Sequence, residues 1–302
     1  MSRNIAALVI ILLGCIWGTS YILIFQGLKA FEPIQVAGFR LVLATLVLLP
    51  WVYKYAIPRV NIGIISGKDH LFLILSGFIG TGIPSFLFSY AGKSIPSALS
   101  GILTALTPMF TVLMGRLVFG ELITRKNMFG IIVGLTGVLT IFFPALLKTN
   151  VVPVFPAMLA LLAAIMYGYN INLIKYKLNH LPGMVKTAFP FFYVAIPYFF
   201  ILWYTGAFEK VAYGGPEVWT AFGYLCILAI LGSAVSMILF NWIIKYTSPV
   251  VASTNTFVIP MVATLWGIAN KELLTWNILA GLAIIIVSLV IILRKKQSQK
   301  LK

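Results

Sequence analysis

Residues 104–122 read TALTPMFTVLMGRLVFGEL, and residues 256–273 read TFVIPMVATLWGIANKEL. Laid over each other at an offset of 152, Thr104 meets Thr256, Pro108-Met109 meets Pro260-Met261, and Gly115 meets Gly267. One residue is then missing from the second stretch, and Glu121-Leu122 meets Glu272-Leu273 at an offset of 151. The register extends in both directions. Gly80 meets Gly232, Phe88 meets Phe240, Tyr90 meets Trp242 and Lys93 meets Lys245 at 152; Gly130 meets Gly281 at 151; Trp17-Gly18 meets Tyr167-Gly168 at 150. The order and near-constant offset of these matches read as a duplication of half the chain.

Composition says where such a chain lives. Of 302 residues, 61% are hydrophobic and 9% charged, with a mean hydropathy of +1.04. A soluble domain is about half apolar and about a quarter charged, so a water-soluble, disordered or nucleic-acid-binding protein is excluded. A helix needs about 20 apolar residues to cross the hydrocarbon core. Ten runs qualify: 5–25, 33–53, 70–91, 96–119, 127–147, 154–174, 186–207, 218–242, 249–270 and 275–293. Lipid cannot satisfy an open strand edge, so the spans are helices. The expected fold class is an all-α integral membrane protein with ten transmembrane helices. The first run follows Arg3 and has no small-residue cleavage site after it. It reads as a retained anchor rather than a removed signal peptide.

The spans divide five and five, which gives a first repeat over 1–149, a second over 150–293 and a basic tail over 294–302. An odd number of spans per half turns the second repeat upside down in the membrane. Inverted repeats are a transporter architecture, with the pathway between the halves and rocking that alternates access to it. Lys and Arg set the orientation. With both termini on one side, sixteen of the 22 basic residues fall on that side and five on the other, while Arg40 lies inside the second span. Basic residues gather on cytoplasmic loops, so both ends are expected in the cytoplasm. The net charge of +16 has the same origin.

With these residues in view, the sequence resembles the EamA-type branch of the drug/metabolite transporter superfamily over essentially its whole length. The marks are Trp17-Gly18, Phe39-Arg40, Pro108 with Gly120-Glu121 thirteen residues on, and Gly130; the second half keeps Pro260 and Glu272. It departs where Asn270-Lys271 stands in place of the usual Gly before Glu. The resemblance implies an inner-membrane carrier of two five-span repeats. Such carriers often export amino acids or other small metabolites, through a cavity among spans 1, 3, 4, 6, 8 and 9.

Polar and aromatic residues gather on those six spans. Trp17 and Tyr21 lie one helical turn apart in span 1, with Tyr167 and Asn170 at the matching region of span 6. Ser85 and Tyr90 are in span 3, Asn241 and Trp242 in span 8, Thr104 before Pro108 and Asn255 before Pro260. Rings with a few aimed polar groups make a pocket for amphipathic small molecules. The competing reading is that the hydroxyls bond back to their own helices and the rings form interfacial belts. Pro108 and Pro260 each remove a helix hydrogen bond, as a hinge or as a fixed kink. Arg40 is the charge well inside a span, where a central Arg costs about 2.5–3.5 kcal/mol on insertion scales. It is either an anchor for a substrate carboxylate, a gate, or a tie to loop carbonyls or Glu32. Gly130 and Gly134 form a small-xxx-small pair that fits packing within the chain better than a dimer face.

The remaining chemistry is sparse. Six acids all lie at or outside span ends, which disfavours proton coupling and leaves facilitated diffusion or exchange as the simpler mode. Glu121 and Glu272 read as helix-end caps or loop ion pairs. Cys15 and Cys226 read as packing residues, and His70 and His180 as solvated loop edges. No cluster fits a metal, a cofactor or a catalytic site, so an enzyme is disfavoured and a non-transporting scaffold is the main alternative. The expected partners are a small-molecule substrate and the bilayer, with anionic lipid at the basic C-terminal tail and no nucleic acid. The chain is expected as a monomer or weak homodimer.

Overall fold

A computed structural model describes residues 3–53, 65–146, 153–246 and 253–293. The basic tail from Arg294 onward lies outside the described residues, as do Lys54, Arg59 and Lys148. The first repeat begins with α1 (Arg3–Gly27) and α2 (Pro33–Trp51). The third span is α3 (Gly67–Gly77), a wide π-helical turn at Phe78–Gly82, and α4 (Ile83–Ala91). The fourth is a broken span, α5 (Ser97–Thr104) and α6 (Thr107–Phe119), bent by 41°. The fifth is α7 (Arg125–Leu146).

The second repeat runs the same way. It comprises α8 (Val154–Lys177), α9 (Gly183–Tyr204), a short helix α10 (Ala207–Tyr213), and α11 (Pro216–Ala229). A second π-helical stretch, Ile230–Val235, leads into α12 (Ser236–Tyr246). A 3-10 turn at Ser253–Phe257 enters α13 (Val258–Ala269), and α14 (Trp276–Leu293) closes the bundle. Seven helical stretches are individually long and apolar enough to cross a membrane. The bent pair α5–α6 and the shorter apolar helices α13 and α14 bring the set to ten. Even α14, with 18 residues, is about 27 Å long at 1.5 Å per residue. That nearly matches a hydrocarbon core about 30 Å thick.

Local sequence explains where the spans start. Pro33 opens α2 at a position whose N–H would be unpaired anyway, and Gln35 Oε1 accepts from the Glu32 backbone N–H at 3.1 Å in a capping box. Ser66 caps α3, its hydroxyl accepting from the Asp69 N–H at 3.2 Å. Both mid-chain prolines sit in the first turn of a new helix segment rather than in the middle of a continuous one. Pro108 is second in α6 and Pro260 third in α13. Proline has no N–H to give the carbonyl four residues back and its ring crowds that carbonyl, so the helical ladder is interrupted just upstream; Thr107 Oγ1 donates to the freed Thr104 O at 2.7 Å. The short helix α10 was hidden from the hydropathy reading because seven residues are too few to register as a run.

Packing reports the inverted duplication directly. α6 lies against α8, and its counterpart α13 lies against α1. A Cβ on Gly18 would come within 2.8 Å of Ile259 O and 2.7 Å of the Val262 Cβ. A Cβ on Gly168 would meet the Phe110 and Thr111 backbone at 2.7 Å. Gly18 and Gly168 are equivalent in the repeat, and so are Val262 and Phe110. Likewise the Asn170 amide crowds Gly80, and the Ser20 hydroxyl crowds Gly232. Even the two π-helical stretches fall at matching positions.

α2 packs on α9, and α7 on α14. In the second seam a Cβ on Gly130 would strike Ile292, and one on Gly134 would strike Ser288 and Met109. Ser288 Oγ donates to Gly130 O at 2.7 Å. The small-xxx-small pair therefore serves a contact inside the chain. Leu8, Ile11, Leu139, Phe200 and Leu265 point outward and are exposed, a face that belongs against lipid rather than water. An apolar groove of about 250 Å³ between α2 and α9, lined by Val42, Leu46, Phe192 and Ile196, opens onto that face.

Candidate functional site between the repeats

Two faces of the bundle are useful landmarks. The terminus face holds the start of α1 and the end of α14, and the far face holds the end of α1 and the start of α14. Between them, side chains from the two repeats meet in the bundle interior. Trp17 Nε1 on α1 donates to Ser236 Oγ on α12 at 3.0 Å, and its ring tilts over Phe240 at 5.4 Å. Tyr21, one turn on, donates its hydroxyl to Thr104 Oγ1 at 2.6 Å. Thr104 sits at the broken end of α5 and donates to Ser100 O at 2.9 Å. Phe88 bridges the repeats: its ring is edge-on to Tyr21 at 5.5 Å and stacked on Tyr167 of α8 at 6.0 Å.

Arg40 completes this group. Its Nε donates to Ser233 Oγ, in the π-helical stretch of the other repeat, at 2.9 Å. Among the described residues the guanidinium makes no other hydrogen bond or ion pair. The Glu32 tie considered from the sequence is not made, because Glu32 pairs with Lys93 at 2.5 Å. Ser236 Oγ donates to Ser233 O at 3.2 Å, which links the Arg40 contact to the Trp17 contact. Asn170 lies against Gly80, with its Oδ1 buried and unpartnered. Trp17, Tyr21, Arg40, Thr104 and Tyr167 thus stand together around a seam between the repeats, with Asn170 one turn beyond Tyr167.

Other expected residues stand elsewhere. Ser85 is buried within α4, where its carbonyl accepts from Ser89 Oγ at 2.8 Å. Tyr90 is exposed and tilted against Phe86, and Trp242 is exposed on α12. The Asn241 side chain lies outside the described residues. Asn255 is 2% exposed, its Nδ2 without a hydrogen-bond partner and its carbonyl crowding Gly14. His70 is no solvated edge: it sits in the first turns of α3 with Nδ1 2.5 Å from Tyr193 Oη and its ring against Phe189. His180 is exposed and pairs with Asp69 at 3.1 Å. Both free cysteines are half-buried. Among the described residues no three His, Cys, Asp or Glu side chains are grouped to hold a metal.

Sequence reasoning missed several participants. Ser233 follows Gly232 as Thr81 follows Gly80, so the repeat register carried the signal for a polar partner there. Asn172 ties α8 to α6, donating to Thr111 O at 2.8 Å and to Gly168 O at 2.9 Å. Tyr198 of α9 donates to the carbonyl of Gly82, the last residue of the π-helical turn, at 3.0 Å. Nothing local in the sequence pointed to that bond.

The two glutamates at the repeat ends also join the halves. On the far face, Glu272 Oε1 accepts from the Ser97 N–H at 3.1 Å and the Ser97 hydroxyl at 2.6 Å, and Oε2 accepts from the Ala98 N–H at 3.1 Å. It caps α5 of the opposite repeat. On the terminus face, Glu121 accepts from Lys175 Nζ and the Tyr176 hydroxyl. These hydrogen bonds, first Lys175 and then Tyr176, hold the Glu121 carboxyl below the usual glutamate range.

Ten apolar helices in two inverted repeats, with rings and hydroxyls meeting between the repeats, define a membrane transporter. The chain belongs to the EamA-like transporter family, whose model matches residues 4–143 and 154–294. It is 25% identical over 255 residues to an uncharacterized inner membrane transporter of Escherichia coli, YedA, covering 83% of this chain and 78% of that protein. It is 24% identical to the uncharacterized transporter YoaV of Bacillus subtilis, covering 91% and 92%. A probable amino-acid metabolite efflux pump of Escherichia coli is 28% identical over 141 residues, covering 47% and 44%. A solved crystal structure shares the fold with a TM-score of 0.59 at 17% identity, covering 96% of this chain and 97% of that one. These likenesses point to a transporter rather than an enzyme.

Proposed function

We propose that the protein is a secondary transporter that moves small amphipathic metabolites, amino acids among them, by alternating access between its two repeats. Both termini would lie in the cytoplasm, as the distribution of Lys and Arg favours. The observation that carries the reading is the pair of hydrogen bonds Trp17–Ser236 and Arg40–Ser233, which cross from one repeat to the other well inside the spans. Side chains placed there are exchanged or released whenever the repeats rock apart, which is what an alternating pathway requires. Inverted duplication and the named efflux relative support the same reading.

All six acids lie at helix ends or in loops, so no carboxylate deep in a span is available to carry a proton. Uniport or exchange down a substrate gradient is therefore the simplest mode. Flux of labelled aromatic and aliphatic amino acids into vesicles holding the purified protein tests the reading. Trp17→Ala should insert normally and lower flux several-fold; undiminished flux would remove Trp17 from the pathway. Flux that is driven by a pH gradient without any substrate gradient, and that collapses with an ionophore, would overturn the uncoupled mode.

A further inference from the structure

Arg40 raises a question of charge balance. It is half-buried at mid-helix on α2, and one of its five N–H donors is engaged, Nε by Ser233. Every candidate counter-ion is committed or remote. Glu32 pairs with Lys93, Asp69 with His180 and Glu121 with Lys175, while Glu272 caps α5. Glu209 and Glu217 lie on the far-face segment around α10 and the start of α11. A guanidinium inside an apolar bundle is retained where it has a partner to meet, and a cation there is costly without one.

The surroundings say what kind of partner fits. Ser233 holds the guanidinium by Nε, which leaves the two Nη groups as a pair of parallel donors. Such a pair matches the two oxygens of a carboxylate. Ser236, whose Oγ donates to Ser233 O at 3.2 Å, accepts from Trp17 Nε1 at 3.0 Å, so an aromatic ring stands one serine away from the guanidinium. Tyr21, one turn on from Trp17, is edge to face with Phe88, which stacks on Tyr167. That arrangement suits an apolar or aromatic body attached to the anionic group. An amine would face a fixed positive charge with no acid in the spans to offset it.

We infer that the substrates carry a carboxylate on an apolar or aromatic body, and that Arg40, held by Ser233, is the residue that selects them over amines without one. The inference rests on the transporter reading and narrows it. The test uses the purified full chain in nanodiscs and three probes of one shape: 3-phenylpropionate, L-phenylalanine and phenethylamine. A ligand that binds the folded form raises its unfolding temperature by mass action. Either or both of the two carboxylates should stabilise the wild-type protein, and phenethylamine should not. Arg40→Gln should weaken the acids at least tenfold. Arg40→Lys should retain part of the effect, and Ser233→Ala should weaken it a few-fold. Should Arg40→Gln fail to fold, Arg40→Lys and Ser233→Ala still read the selectivity.

Stabilisation by phenethylamine alone, by none of the three, or by acids equally in wild type and in Arg40→Gln, would overturn the assignment. Vesicle flux of the same probes separates the two claims. If phenethylamine crosses and the acids do not, the carrier reading stands and the carboxylate assignment falls. If the acids bind through Arg40 yet nothing crosses, Arg40 is still the carboxylate-selecting site and the carrier reading falls.

Discussion

Glu121 and Glu272 are the same residue of an ancestral repeat, placed at opposite faces, and they make opposite kinds of contact. In each repeat the glutamate N–H donates to the carbonyl of the glycine that opens the helix's last turns, Glu121 to Gly115 at 3.0 Å and Glu272 to Gly267 at 2.9 Å. In each, the residue before it is left-handed, Gly120 at φ 72° and Lys271 at φ 57°. From there they diverge. Glu272 reaches across to the first backbone N–H groups of α5, where a negative charge meets unpaired donors and the positive end of a helix. Glu121 reaches across to an exposed ammonium and an exposed phenol. One turn geometry thus yields a backbone cap on one face and a side-chain ion pair on the other. Side chains in water rearrange freely and backbone donors do not, so the far-face closure is the firmer of the two.

The largest expected effect follows from that contrast. Glu272→Ala strips three hydrogen bonds from Ser97 and Ala98, two of them from backbone donors with no helical partner. Hydrogen bonds to a charged group are worth about 1.5–3 kcal/mol, so a loss of roughly that size should appear as a lower unfolding temperature in nanodiscs. Hydrogen exchange at the Ser97 and Ala98 amides should quicken in the same variant. Exchange rates that stay unchanged would mean that the carboxylate does not hold the start of α5. Next in size is Gly120→Ala, which puts a Cβ on a left-handed residue at a cost of about 1–2 kcal/mol. A smaller fall in unfolding temperature than for Glu272→Ala is expected, and none at all would imply that the turn relaxes.

How much of this was legible beforehand differs element by element. The ten spans, the duplication and the two glutamates could be read because hydropathy and identical residues at a fixed offset survive in one dimension. Hydropathy also suggested one continuous fourth span, whereas the chain breaks between Thr104 and Thr107. Proline marks the place, but whether it kinks or restarts a helix depends on neighbours. The π-helical stretches at Phe78–Gly82 and Ile230–Val235 left no hydropathy trace, since one extra residue per turn leaves an apolar run apolar. Partners far apart in sequence were unreadable: Arg40 with Ser233, Glu272 with Ser97. The missing Gly before Glu272 weakened the expectation that its loop is built like the first. Lys271 adopts the left-handed backbone anyway, so the shape persists where the residue that favours it is gone.

The ion-pair end should respond to salt and to acid. The Lys175–Glu121 pair has side chains 58% and 32% exposed, and exposed pairs contribute about 0–1 kcal/mol. Glu121→Gln should therefore lower the unfolding temperature slightly, and molar salt should erase the difference. The pH dependence has a definite sign. The folded Glu121 carboxyl titrates below its ordinary value of about 4.3, chiefly because Lys175 donates to it and then because Tyr176 does. Its contribution is fully present above the ordinary value and disappears as pH falls through the lowered one. Wild type should lose a component of stability on acidification that Glu121→Gln lacks. Parallel pH profiles would show that the pair contributes nothing.

The smallest effect is the most discriminating, because it tests whether the two turns still share one geometry. Lys271 carries a side chain in a conformation that costs a non-glycine residue about 1–2 kcal/mol. Lys271→Gly removes that strain but gives the unfolded chain more freedom, which costs about 0.5–1 kcal/mol. The net should be a stabilisation of a few tenths of a kcal/mol up to about 1, with the sign opposite to Gly120→Ala. Unfolding in nanodiscs, compared for the two single variants and the double variant, reads it. The sites lie on opposite faces and share no partner, so their effects should add. Destabilisation by Lys271→Gly would mean that the lysine side chain holds the far-face turn through contacts of its own, and that the descendants of one turn now rest on different physics.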